Sequence, residues 1–285
     1  MQNTLLSWTL PPVESIFYIS ETTLSVFLQL GSVNREHRFT PFGCFLCLRR
    51  LYSSQSTHER VSAMRQLMIF GDSVMKGVIH ENGKFRLCQD HDFSFLSKNA
   101  ITGVNYAKMG ATVKTGFAIM QRKLGLCTQD DTVLLSFGGN DCDYDWAQIA
   151  ARPDDEHLPA VPPEAFCAGY RTLIETAQQS GARVAVASII PLEAERYMQC
   201  ISTGKNADHI LKWLGDVNHL YRWQEYYNTM LCQLAQSLGC PIVDLRGAFL
   251  QRADFQTLIS DDGIHPSQKG HDLIHQRVAA AATAM

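Results

Sequence analysis

Net charge is nearly absent from this chain: 25 Lys and Arg against 28 Asp and Glu leave −3 over 285 residues. No basic field exists to draw in nucleic acid or an anionic lipid surface. Long hydrophobic runs are missing as well, all falling far short of the roughly 20 residues that a membrane-spanning helix needs. Nine cysteines stand at irregular spacing and in odd number, which argues against a disulfide framework and for reduced thiols in a cytoplasmic setting. Cys44-Phe-Leu-Cys47 has the Cys-x-x-Cys spacing, but no second pair follows and neither a strand nor a helix start frames it. The Gly-x-x-x-x-Gly-Lys-[Ser/Thr] loop is absent, which argues against an NTPase. So is the Gly-x-Ser-x-Gly elbow, which disfavours the α/β-hydrolase fold.

Residues 1–63 lack Asp and Lys altogether, whereas residues 64–285 hold nine Lys and an ordinary share of Asp. The first segment instead carries fifteen Ser or Thr and five Phe, without sustained helical or strand periodicity. Glu14 and Glu21 interrupt its candidate apolar stretch and its first Arg is Arg35, so it lacks the basic start of a secretory signal. Residues 1–63 are therefore expected to be an N-terminal extension, poorly ordered or the product of a misassigned start. Met64 stands just ahead of the first apolar run, and residues 64–285 make a comfortable single domain.

Within that domain, apolar and β-branched runs recur at Leu67–Phe70, Val104–Ala107, Val133–Phe137, Val184–Ile190 and Ile242–Leu245. They are short and continuous, as in strands buried on both faces. Amphipathic stretches separate them at Asp92–Asn99, Thr112–Lys123, Pro163–Ser180, Leu220–Leu238 and Ser267–Ala282. Pro163 suits a first helical turn, and Ser180-Gly181 and Leu238-Gly239 suit helix ends. Alternating strand and helix predicts βαβ units around a five-stranded parallel sheet. Two segments are surplus to this scheme, Asp141–Pro162 and Leu192–His219. Insertions of that kind land above the carboxyl edge of such a sheet, where ligands bind.

Three polar clusters each follow an apolar run. Gly71-Asp72-Ser73 places a hydroxyl at a strand-to-helix turn, where helix N–H groups can face a developing anion. Phe137-Gly138-Gly139-Asn140-Asp141 combines glycines, which admit close approach, with an uncharged amide donor suited to an oxyanion. Gly110, after the second strand, can add a backbone N–H. Asp262-Gly263-Ile264-His265-Pro266 sets a carboxylate three residues before an imidazole, so that the carboxylate can take Nδ1–H and leave Nε2 as base; the adjacent Asp261 could compete for that role.

Together these clusters resemble the SGNH (GDSL-type) hydrolase family across residues 66–285. The matching blocks are Phe70-Gly71-Asp72-Ser73, the Gly110 region, Gly139-Asn140-Asp141 and Asp262-x-x-His265. The first block reads Ser-Val-Met where Ser-Leu is common, and Ala107-Lys-Met-Gly110 lacks a further glycine. The resemblance implies a flavodoxin-like three-layer α/β/α sandwich. It implies Ser73 as nucleophile, His265 as base, Asp262 as its orienting carboxylate, and an oxyanion hole from the N–H groups of Ser73 and Gly110 and the side chain of Asn140.

The expected activity is that of a serine esterase on short-chain O-acyl esters, carbohydrate acetyl esters among them, through an acyl-Ser73 intermediate. The alternatives are an acyltransferase with an alcohol or sugar acceptor, and a non-catalytic carbohydrate-binding module. The expected partner is a small-molecule ester or carbohydrate, with no metal and no organic cofactor. Asp143, Asp145 and Trp146 are expected to line the pocket and to favour a hydroxyl-rich substrate over a long acyl chain. Trp213, Trp223, Tyr221, Tyr226 and Tyr227 suit either a substrate wall or core packing. His271 and His275, four apart on the last helix, could join His265 at a metal, but exposed helix histidines are the ordinary expectation.

Overall fold

The computed structural model describes residues 65–285, so the expectations for residues 1–63, Cys44 and Cys47 among them, lie outside the described residues. Five parallel strands form the central sheet: β1 (Arg65–Gly71), β4 (Ile101–Asn105), β5 (Thr132–Ser136), β6 (Arg183–Ala187) and β7 (Ile242–Val243). Their spatial order is β4-β1-β5-β6-β7, the doubly wound order in which the direction of winding reverses between β1 and β5. Gly71 pairs with Ser136 across that boundary, so the turns after β1 and β5 emerge side by side.

The strands are buried on both faces, and alternation sorts their side chains into two cores. Met68, Phe70, Val133, Leu135, Val184 and Val186 face one layer. There they meet Phe166, Tyr170 and Leu173 of a helix at Pro163–Gln179 and Tyr227 and Leu231 of a helix at His219–Ser237. Leu67, Ile69, Leu134, Ala185 and Val243 face the other, against Phe249, Ile274 and Val278. This is the three-layer α/β/α sandwich. Each such side chain contributes about 1.5–3 kcal/mol by leaving water.

Strand ends differ from the sequence expectation where a polar group intervenes. The second strand of the sheet, β4, stops at Asn105, whose amide donates to the carbonyls of Met75 and His91 while its oxygen accepts from Ala107 N–H. β7 is only two residues long because Asp244 caps a helix at Leu245–Leu250, accepting from Gly247 N–H at 2.8 Å. β6 ends at Ala187, and Ser188–Ile190 turn toward the ligand-facing rim.

The surplus segments are not irregular loops. They hold α3 (Trp146–Ala151), α5 (Ala194–Ser202) and α6 (Ala207–Leu214), numbered after α1 (Ser73–Lys76) and α2 (Val113–Gln121), with α4 (Pro163–Gln179) between. Trp146, Ile149, Leu192, Tyr197, Ile201, Ile210, Leu214 and Leu220 form a third core of their own. A second addition is the antiparallel hairpin β2 (Val78–Glu81) and β3 (Lys84–Leu87). Its turn is Asn82-Gly83, both with positive φ, the sequence preferred by a two-residue hairpin. Among the described residues no helix is long and apolar enough to cross a membrane.

Candidate active site

Strand β1 delivers Ser73 to the rim. Gly71 leaves the sheet so close to the neighbouring strand that a Cβ there would lie 2.8 Å from the Ser136 carbonyl oxygen. Asp72 then caps α1, accepting Val74 N–H at 2.9 Å. Ser73 is the first residue of this helix, so its N–H has no carbonyl within the helix to bind. Burial pushes the Asp72 carboxyl up to about 6, against the lowering pull of Val74 N–H and His265.

His265 comes from a loop that Asp262 closes on itself. Asp262 Oδ1 accepts the backbone N–H groups of Ile264 and His265, at 3.1 and 3.0 Å. Its Oδ2 lies 2.6 Å from His265 Nδ1, and His265 Nε2 lies 2.8 Å from Ser73 Oγ. A carboxylate only accepts, so Nδ1 carries the proton and Nε2 offers its lone pair to the hydroxyl. Burial raises Asp262, but the hydrogen bond to His265, the electrostatic attraction of that ring and the two N–H groups outweigh it and hold the carboxyl below its usual range. Gly263, between them, has φ +80, and its missing Cβ would meet the backbone of Tyr197 and Glu193. Helix α5 therefore abuts this turn, and Glu193 N–H donates to the Gly263 carbonyl. Asp261, the possible competitor, instead accepts Asn82 N–H from the hairpin.

Asn140 stands across the rim with Nδ2 donating to the Ala111 carbonyl at 3.2 Å, which aims the amide and leaves its second N–H available. Beside it, Asp141 Oδ1 accepts Val113 N–H while Oδ2 is buried without a partner. Burial drives this carboxyl up to about 7, offset in part by Val113 N–H and reinforced by Asp72. Ser73, Gly110, Asn140 and His265 all line one cavity of about 170 Å³. That is small beside the roughly 300–1,000 Å³ of pockets for drug-sized ligands.

The expected pocket residues separate. Asp143 and Trp146 line the cavity, but the Asp143 carboxylate is committed to Tyr197 Oη at 2.6 Å and Trp146 Nε1 at 2.8 Å. Burial lifts Asp143 above the usual carboxylate range, and those two donors moderate the rise. Asp145 is corrected: it does not line the cavity but caps α3, accepting Ala147 and Gln148 N–H at 3.1 Å each. Of the five aromatic candidates only Trp223 reaches the cavity. Tyr227 is core, Tyr226 is exposed, Tyr221 lies under the Arg246 guanidinium, and Trp213 backs Tyr144. The remaining wall includes Tyr144, Tyr197, His219, Leu192, Leu214 and Leu220, all but the last from the two surplus segments expected above the sheet edge. Among the described residues no Lys or Arg lines it.

The hairpin adds a further neighbour that the Asn82-Gly83 signal could have revealed. Its His80 Nδ1 lies 3.9 Å from Asp262 Oδ2, and Phe85 packs edge-on against His265 with ring centroids 5.6 Å apart.

Residues 69–273 match the GDSL-like Lipase/Acylhydrolase family. The chain belongs to that family. It is a serine ester hydrolase of the SGNH/GDSL type, and solved structures share its fold. The lipase/acylhydrolase from Enterococcus faecalis is 14% identical with a TM-score of 0.55, covering 78% of this chain and 96% of its own. A member of the lipolytic G-D-S-L family from Veillonella parvula is 12% identical with a TM-score of 0.53, covering 78% and 100%. A mutant form of an acetyl-xylooligosaccharide esterase from Geobacillus is 16% identical with a TM-score of 0.52, covering 76% and 93%. No curated protein sequence matches the chain.

Proposed function

We propose that this GDSL-family hydrolase cleaves short-chain O-acyl esters of uncharged alcohols through an acyl-Ser73 intermediate. The observation that carries this reading is the continuous chain Asp262 Oδ2–His265 Nδ1 at 2.6 Å and His265 Nε2–Ser73 Oγ at 2.8 Å, opening into the cavity. Ser73 Oγ attacks the ester carbonyl carbon while Nε2 takes its proton, and Asp262 stabilises the resulting imidazolium. The carbonyl oxygen becomes an oxyanion facing the N–H groups of Ser73 and Gly110 and the free N–H of Asn140. Collapse breaks the bond to the alcohol oxygen, which leaves with the proton from His265. Water then gives its proton to Nε2 and attacks the acyl carbon, releasing the acid and restoring Ser73.

The small cavity supports a short acyl group. Its aromatic wall and lack of lining cations support an uncharged alcohol part with a flat apolar face, as in an aryl alcohol or a sugar ring. This replaces the argument from Asp143 and Asp145, because one carboxylate is internally bonded and the other faces away. The test is hydrolysis of p-nitrophenyl acetate and longer-chain p-nitrophenyl esters by the full chain and its Ser73→Ala variant. Acetyl ester turnover that vanishes with Ser73 and declines with chain length supports the reading. Unaltered turnover in Ser73→Ala overturns the intermediate, and equal or better hydrolysis of long chains overturns the short-acyl preference.

A further inference from the structure

The last helix, α10 (Gln268–Ala284), follows α8 (Leu245–Leu250) and α9 (Phe255–Leu258) and carries His271 and His275 one turn apart. Both are buried, contrary to the ordinary expectation for paired histidines on a terminal helix. His265 does not join them, since its two ring nitrogens face Asp262 and Ser73. Cys88 does. It follows strand β3, is buried, and is tied back by its N–H to the Gly77 carbonyl at 2.7 Å. One ligand-capable atom from each of Cys88, His271 and His275 lies within 4.8 Å of the other two.

The two imidazoles are held in place by their surroundings. His271 Nε2 lies 3.0 Å from the Val78 carbonyl oxygen, and a carbonyl only accepts, so Nε2 holds the proton and Nδ1 keeps its lone pair. A ring N–H taken by a carbonyl or carboxylate is the usual way a metal-bound imidazole is oriented. The His275 ring packs against both Phe93 and Phe95, with centroids 5.1 and 4.9 Å away, which gives it an apolar neighbour on that side. Burial drives His271 down to about 4 and lowers His275.

We propose that Cys88, His271 and His275 bind a thiolate-preferring transition-metal cation of the zinc class and thereby clamp the β2–β3 hairpin to helix α10. One thiolate and two imidazoles form a donor set for Zn²⁺ and its relatives, and the absence of oxygen ligands disfavours Mg²⁺ and Ca²⁺. Binding replaces the thiol proton by the metal–sulfur bond and releases that proton to solvent, while each imidazole donates a lone pair without losing a proton. Water completes the fourth position. Bond lengths of about 2.0–2.3 Å set tetrahedral ligand atoms about 3.5 Å apart, so separations of up to 4.8 Å shorten by up to about 1.3 Å on binding. The clamped hairpin is the one that lays Phe85 on His265 and His80 beside Asp262. The cation would therefore stiffen the cover over the acyl-transfer loop without touching the reacting atoms.

The test is a cobalt titration of the reduced, chelator-treated full-length chain, followed by Zn²⁺. One equivalent of Co²⁺ should produce a thiolate-to-cobalt charge-transfer band that Zn²⁺ abolishes. The band should be lost in Cys88→Ser, and cobalt affinity should fall at least tenfold in His275→Gln while ester hydrolysis persists. No such band in the wild-type protein overturns the proposal, as does an unchanged band in Cys88→Ser, which would place the metal on another thiol. Should Cys88→Ser fail to fold, wild-type cobalt affinity in His275→Gln overturns it instead.

Discussion

One side of the cavity holds Ser73, Asn140 and His265; the other holds Tyr144, Trp146, Tyr197 and Trp223. The first side hangs on the central sheet: Ser73 and Asn140 follow the adjacent strands β1 and β5, and strand pairing sets where they stand. On the second side Tyr144, Trp146 and Tyr197 belong to the apolar core of the added segments, whereas Trp223, from a helix that also covers the sheet, packs against the sheet's own core. The reacting side is a relay of short polar bonds, whereas the wall combines ring packing, with Tyr144 4.8 Å from Trp213 and 5.6 Å from Trp146, with the bonds of Tyr197 and Trp146 to Asp143. The lesson is a division of labour. Rim variants should change turnover, and wall variants should change substrate affinity and choice.

The largest effect should come from the rim. Ser73→Ala and His265→Ala should each lower kcat by about 10⁴-fold or more, and the double variant should lose little beyond either single one, because the two act as a unit. Additive losses in steady-state kinetics would separate them. Asn140→Ala should follow, with kcat down by about 10²–10³ and KM nearly unchanged. A normal kcat would remove Asn140 from the oxyanion hole.

The wall should respond differently. Tyr197→Phe takes one of two side-chain donors from the buried Asp143 carboxyl and should cost about 1–3 kcal/mol, read as a Tm lower by about 2–4 °C per kcal/mol. Its kinetic effect should fall on KM; a kcat loss as large as that of Asn140→Ala would erase the distinction between the two sides. A pH series sharpens the comparison from below the rim. Asp72 and Asp141 are raised to about 6 and about 7 from 3.8, so the folded protein holds protons there that the unfolded chain gives up. Stability from these two groups therefore falls as pH rises from about 4 to about 7, and Asp141→Asn should flatten that part of a Tm-against-pH curve. An unchanged slope would show that Asp141 ionises freely. Least of all, Asp145→Ala should lower Tm slightly by uncapping α3 and leave kcat and KM alone. A raised KM would restore Asp145 to the pocket.

Legibility in the sequence followed the same division. Strand runs such as Leu67–Phe70 and Val133–Phe137 were readable because strands covered on both faces need unbroken apolar residues. The polar clusters were readable because acyl transfer needs few residue types at tight spacing. The wall was not. Tyr144, Tyr197, His219 and Trp223 come from segments far apart in the chain, and an aromatic that lines a cavity has the same local pattern as one in a core. Asp145 illustrates the converse, since a carboxylate just behind the oxyanion cluster serves equally as a helix cap. The hairpin was missed although Asn82-Gly83 marked its turn, because strands β2 and β3 are too short and too exposed to show a period.

Local apolar runs marked the strands of the parallel sheet, and the resemblance carried by motifs a few residues long implied its winding, the family and the candidate reacting residues. Tertiary structure alone decided that Ser73 and His265, 192 positions apart, stand 2.8 Å from one another, that aromatic rings line much of the cavity, and that Cys88 meets His271 and His275. The physical reason is that periodicity and short motifs record what a residue does for its own element. Which elements are pressed together depends on long-range packing, and no short stretch of chain carries that information.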